Sequence, residues 1–248
     1  MPSKQLPGVG QLLRDSWHFF ITQWNETLKI TVWFLYIGLL EFALALLLKV
    51  SPFFALIYLP AELGILALSL WVAVRTIQVV MQLEAGKKAT YSKTTTIAAW
   101  KLVLPLVWVA ILEILIIMGG LIVVIIPGIY LAVVLSFSTF FLVDEGERGL
   151  AALNKSRALV KGRFWPTLWR MFGGMFILGF GLLVLVEILF GLLSLLAGPH
   201  FIISLQAQDL DPMVQGTLSL FQAIIQAAVI PLIIGYQVKL YRALKKTQ

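Results

Sequence analysis

The stretch Leu121 to Gly146, LIVVIIPGIYLAVVLSFSTFFLVDEG, sets a proline and a glycine inside the most apolar part of a 248-residue chain. Read as one helix, the apolar run from 102 to 143 would extend about 60 Å at about 1.5 Å per residue, twice the hydrocarbon thickness of a bilayer. It must therefore turn back. Pro127 has no backbone N–H to donate and disfavours helix at Ile126, while Gly128 accepts dihedrals that other residues resist. A turn at Pro127 and Gly128 splits the run into two spans.

Composition supports a membrane reading. Hydrophobic residues make up 60% of the chain and charged residues 12%, against about 45–50% and about 25% in ordinary soluble domains. The apolar runs do not alternate as a transmembrane barrel requires. The expected fold class is therefore all-α, a polytopic integral membrane protein. Six spans are expected at about 27–48, 54–77, 102–124, 128–143, 171–196 and 213–238, in a single membrane domain covering 1–248.

Charge placement gives an independent check, because lysine and arginine gather in short cytoplasmic loops. With the turn at 127–128, seventeen of the nineteen basic residues fall on one side of the membrane. They form clusters around Arg14, Lys87, Arg157 and Arg242; Lys49 falls on the other side and Arg75 within a span. Asp209 and Asp211 lie in a loop without bases. Both termini are expected in the cytoplasm. Basic loops beside an anionic leaflet account for the net charge of +7 without nucleic acid. No cleavable signal peptide is recognisable, and the first span reads as a signal anchor. The absence of cysteine rules out disulfides and thiolate ligands.

Two segments are expected as amphipathic helices on the cytoplasmic interface, at 8–24 and 146–162. In the first, Val9, Leu12, Leu13, Trp17, Phe20 and Trp24 share one face, with Gln11, Arg14, Asp15, His18 and Thr22 opposite. In the second, Asp144 and Glu147 have the spacing of a capping box, and Leu150, Leu153, Val160 and Phe164 make a narrow apolar stripe. Expected partners are membrane lipids, with protein partners reached through these helices. A weak threefold repeat of interfacial helix, outgoing span and returning span is suggested over 8–83, 88–143 and 144–243, marked by Trp24, Trp100 and Trp165.

The segment IIPGIYLAVVLSFSTFFLVDEGERGLAALNKSRALVKGRFW strings together Pro-Gly, a span, an acidic–glycine pair, an Ala-Leu-x-x-Ser helix, and then Gly and Trp. It resembles a signature of the YciC-like family of bacterial inner-membrane proteins, and the related membrane domain found beside some glycerophosphodiester phosphodiesterases. The resemblance implies a six-span inner-membrane protein, located in the bacterial cytoplasmic membrane, and says little about chemistry. In the phosphodiesterase relatives catalysis belongs to an attached soluble barrel, for which this chain has no residues left.

Polar residues inside the spans are the candidate site, since ionisable groups in lipid are costly. Glu41, Glu62, Glu113 and Glu187 lie in four different spans. In the last span Gln215, Ser219, Gln222 and Gln226 recur on one helical face. That face is expected to point into the bundle, where with Glu41, Glu62 and Glu187 it would line an outward polar cavity for an ion, a small solute or a lipid headgroup. The alternative is structural: protonated glutamates and glutamines bonding neighbouring helices. Arg75 is expected either to pair with Glu113 or to snorkel with Gln78 and Gln82. His18 and His200 are isolated from each other, so no metal or other cofactor is expected. No phosphate-cradling loop, nucleophile elbow or His-Glu-x-x-His pair is present, so an enzyme is not expected. The functional reading is a non-enzymatic membrane, envelope or assembly component, with a transporter as the alternative.

Overall fold

A computed structural model describes residues 6–50, 55–197 and 212–247. Lys4, His200, Asp209, Asp211 and the side chain of Lys49 lie outside the described residues. The helices are α1 (Val9–Thr22), α2 (Trp24–Thr31), α3 (Trp33–Val50), α4 (Ala55–Glu84), α5 (Lys93–Val123), α6 (Ile125–Leu135), α7 (Ser138–Glu145), α8 (Leu150–Val160), α9 (Phe164–Ala197) and α10 (Pro212–Lys246). No strand occurs among the described residues. Six stretches are long and apolar enough to cross a bilayer: Trp24–Leu47, Leu56–Glu84, Lys93–Ile122, Ile125–Glu145, Phe164–Leu192 and Met213–Lys246. The chain is an all-α polytopic membrane protein.

The chain does reverse within the opening stretch, but three residues earlier than expected. α5 starts at a reciprocal cap, in which the Ser92 hydroxyl accepts from the Thr95 N–H at 3.3 Å and the Thr95 hydroxyl accepts from the Ser92 N–H at 3.2 Å. It ends at Val124, a single extended residue with φ −161° and ψ 147°. Pro127 is therefore the third residue of α6, where its missing N–H is one of the donors a first turn leaves free anyway. Gly128 acts by size. A β-carbon there would collide with the Leu121 side chain, and one on Gly120 would stand 3.2 Å from the Gly128 Cα. The two glycines let α5 and α6 close as an antiparallel hairpin, with Glu113 beside Ser138 and Trp108 beside Gly149 further along.

The returning span is broken at Ser136 and Phe137, where φ, ψ of −58°, −15° and −101°, 3° separate α6 from α7. α8 mends the break. Its Ser156 hydroxyl accepts from the Phe137 N–H at 3.1 Å and donates to the Val134 carbonyl at 2.7 Å, both buried. The buried face of α8 is Ala152, Leu153, Ser156, Leu159 and Val160, and Leu150 is exposed. The expected stripe is thus only partly realised. The Asp144–Glu147 capping box does not form. Asp144 still belongs to α7, Gly146 closes α7 at φ 74°, and the residue before α8 is Gly149 at φ 54° and ψ −131°, a conformation open only to glycine.

By contacts the chain forms two compact units, each assembled from separated segments. Unit 1 holds Met1–Thr27, Ala73–Met175 and Pro231–Gln248; unit 2 holds Leu28–Val72 and Phe176–Ile230. In unit 1 α1 docks through Leu12, Ser16 and Phe19, with Gly235 against the Phe19 ring and Lys239 5.3 Å above it. Trp17 and Ile21 stay exposed, at 54% and 58%. Of the expected stripe, Leu12 is the member buried on the docking face, whose centre lies about 100° round the helix from Leu13, Trp17, Phe20 and Trp24. In unit 2 Trp33 meets Trp71 edge-on at 5.5 Å, and α3 runs antiparallel to α10 with Gly38 against Ala223 and Phe42 against Gly216.

Candidate functional site

Polar chemistry is concentrated in unit 1, at one end of its helices. Asp144 and Glu145, the last residues of α7, are held from two sides. Lys245 of α10 reaches Asp144 at 2.8 Å and Glu145 at 2.7 Å, while Lys155 of α8 reaches Glu145 at 2.5 Å and Glu147 at 2.8 Å. The Glu145 and Glu147 carboxylates bonded to Lys155 raise its pKa above the usual lysine range. Tyr241 donates to Asp144 at 3.0 Å and is packed among Phe137, Phe140 and Phe141. Lys239 closes on Glu84 at 2.5 Å.

Several arginines of unit 1 bind main-chain carbonyls instead of carboxylates. Arg163 caps the end of α10 by donating to the Leu244 and Thr247 carbonyls, acceptors that a helix C-terminus leaves unpaired. Arg170 holds the chain entering α1 through the Pro7 carbonyl at 2.7 Å and the Leu6 carbonyl at 2.9 Å. Arg242 donates to the Met81 carbonyl at 2.5 Å. Tyr91 donates to the Glu26 carbonyl at 2.5 Å, and burial pushes its phenol pKa up, keeping the donor proton in place.

Arg75 is buried, with 1% of its surface accessible. One guanidinium nitrogen donates to Gln78 Oε1 and another to the Thr90 carbonyl, both at 2.8 Å, while Gln82 Oε1 accepts from the Thr90 N–H. The guanidinium thus reaches Gln78 and the Thr90 main chain beside Gln82, as one expected alternative had it, but it stays buried and does not snorkel to water. The pair with Glu113 does not form, because the Glu113 carboxylate accepts from Ser138 at 2.7 Å across the α5–α7 contact. Arg75, Gln78, Met81 and Gln82 form one wall of a cavity of about 300 Å³, completed by Ala85, Lys87, Thr95, Ala98, Val143, Asp144 and Arg242. A second, adjoining hollow adds Tyr241, Lys245 and Lys246.

The other candidates lie in unit 2. Tyr58 and Glu62 stand one turn apart on α4, and Glu41 of α3 lies near enough to act electrostatically on Tyr58. Glu187, on α9, is exposed. The glutamine stripe is not the packed face of α10. Gly216, Ala223 and Ala227 are buried, whereas Gln215 and Gln222 are exposed and Ser219 and Gln226 half-buried. Small side chains allow close backbone approach to α3, so they take the contact and the stripe turns about a quarter of the way round. Among the described residues no group of three or more His, Asp or Glu side chains is arranged to hold a metal ion.

Comparison with known proteins finds no matching family model, no matching curated protein and no matching solved structure.

Proposed function

We propose that this chain is a non-enzymatic component of the bacterial cytoplasmic membrane, of the YciC-like type, with both termini cytoplasmic, and that it works at the lipid interface as an envelope or assembly factor. The observation that carries this reading is the three-sided character of α1. Leu12, Ser16 and Phe19 are buried in unit 1, Trp17 and Ile21 are apolar and accessible, and Arg14, Asp15 and His18 form an exposed polar face. A helix with one docked, one greasy and one wet side suits the boundary between acyl chains and water.

Single cysteines test the reading on a chain that has none of its own. With a membrane-impermeant maleimide applied to the cytoplasmic face, His18→Cys and Arg157→Cys are expected to label at least tenfold faster than Ile21→Cys. Val124→Cys is expected to label only from the opposite face. Equal rates at His18 and Ile21 would overturn the interfacial assignment, and labelling of Val124 from the cytoplasm would overturn the topology.

A second reading, transport of an ion or small solute, is favoured by the Glu41–Tyr58–Glu62 grouping between membrane helices. On that reading Glu41→Gln and Glu62→Gln each lower flux into proteoliposomes at least tenfold, and Glu187→Gln lowers it less. Flux indistinguishable from empty liposomes removes the reading.

A further inference from the structure

We propose that the cavity at the ends of α4, α5, α7 and α10 in unit 1 binds a phosphate-type oxyanion, free or as the headgroup of an anionic lipid, with Arg75 and Arg242 as its counter-charges. A buried arginine normally faces a carboxylate, because the cost of desolvating a charge is offset only by an opposite charge and full hydrogen bonding. Arg75 has neither. Its acceptors, Gln78 Oε1 and the Thr90 carbonyl, are neutral, and its Nε–H is buried with no acceptor among the described residues.

The rest of the wall has the same sign. Arg242 is half-buried and donates to a neutral carbonyl, and among the described residues neither it nor Lys87 meets a carboxylate. Asp144, the acidic side chain on the wall, is already occupied by Lys245 and Tyr241. An anion entering the cavity therefore meets an uncompensated positive field. The half-buried Arg242 offers a planar fork that matches a tetrahedral oxyanion, which a point-charge lysine does not, and the buried Arg75 adds its charge to the wall. About 300 Å³ is at the small end of ligand pockets, suited to a headgroup or a hydrated phosphate and too small for a larger solute. The location fits as well: the cavity opens where four apolar helices meet their polar loops, the depth of lipid phosphates. This inference holds whichever face of the membrane unit 1 occupies.

The test is thermal unfolding of the full-length protein in a neutral detergent. One arm titrates inorganic phosphate at constant ionic strength against chloride; the other adds phosphatidylglycerol at a few mole per cent against phosphatidylcholine. A rise in midpoint with phosphate, but not chloride, assigns free phosphate; a rise with phosphatidylglycerol, but not phosphatidylcholine, assigns the headgroup. In either case Arg242→Gln, read against its own baseline, is expected to weaken the apparent affinity at least tenfold. Arg75→Gln, which removes the buried charge, is expected to do the same. Should Arg75→Gln not fold, Arg242→Gln carries the test alone. No rise in either arm, an equal rise with chloride, or an unchanged response in Arg242→Gln overturns the proposal.

Discussion

Replacing Gly174 with alanine is expected to destabilise the protein by about 2–3 kcal/mol, the cost of overpacking a filled core, and replacement with valine is expected to prevent recovery of folded protein. Gly174 lies one-third of the way along α9, and a β-carbon there would fall on the Tyr236 ring and hydroxyl. Tyr236 has no room to yield, being fully buried, with its hydroxyl donating to the Arg170 carbonyl one turn before Gly174. Arg170 in turn holds the segment leading into α1. The clash would therefore spread from the α9–α10 contact into the α1 anchor. Midpoints of unfolding in detergent check the size of the effect. Gly173→Ala is the internal control, because its β-carbon would meet Val9 at an ordinary 3.4 Å and should change the midpoint little. If the two substitutions behave alike, the tyrosine contact does not set the packing of α9.

The span count was legible because hydropathy sums over some twenty residues and tolerates local error. The existence of the hairpin at its third and fourth spans was legible for the same reason, since a helix twice the bilayer thickness has nowhere to go. Its apex was not. Pro127 and Gly128 are the residues that usually mark turns, yet the chain reverses at Val124, because the reversal is positioned by the contact of Gly120 with Gly128 across the hairpin. That contact is a tertiary property, and neither residue announces its partner. The same limit applies to Asp144 and Glu147. Their spacing fits a capping box, but whether Asp144 opens one helix or closes the previous one depends on where Gly146 takes its positive φ.

Helical faces were harder to read than helices. Periodicity identifies an apolar stripe without saying whether neighbour or lipid covers it, since both are apolar. On α1 the neighbour takes the Leu12–Ser16–Phe19 face, which contains a serine, because Ser16 bonds back to the Leu12 carbonyl at 2.6 Å and so presents no unsatisfied hydroxyl. On α10 the neighbour takes glycine and alanine, and the glutamines turn aside. Basic residues were legible as markers of a membrane side. Their individual roles were not, because the carbonyls that Arg75, Arg163, Arg170 and Arg242 bind are 4 to 164 positions away or created by helix ends.

Ser156→Ala is expected to cost about 3 kcal/mol, more than the loss of an average hydrogen bond, because it strands two buried main-chain groups at about 1–3 kcal/mol each. A continuous helix through residues 133–141 would satisfy these groups within itself. The break at Ser136 and Phe137 frees the Phe137 N–H and the Val134 carbonyl, and one hydroxyl from α8 serves both, as acceptor and donor. Alanine fits the space and can do neither, and no water route is open to a side chain with no accessible surface. Threonine keeps the hydroxyl and should recover most of the stability if its extra methyl is tolerated; cysteine, a weak donor and weak acceptor, should recover little. The ranking serine, threonine, cysteine, alanine in unfolding midpoint is the expected result. An alanine variant as stable as the parent would mean that α7 straightens into α6 when released, and that α8 is bound by its leucines and valine alone. The distinction matters for the whole of unit 1, because Asp144 and Glu145 ride at the end of α7. A straightened α6–α7 would carry them away from Lys245 and Lys155.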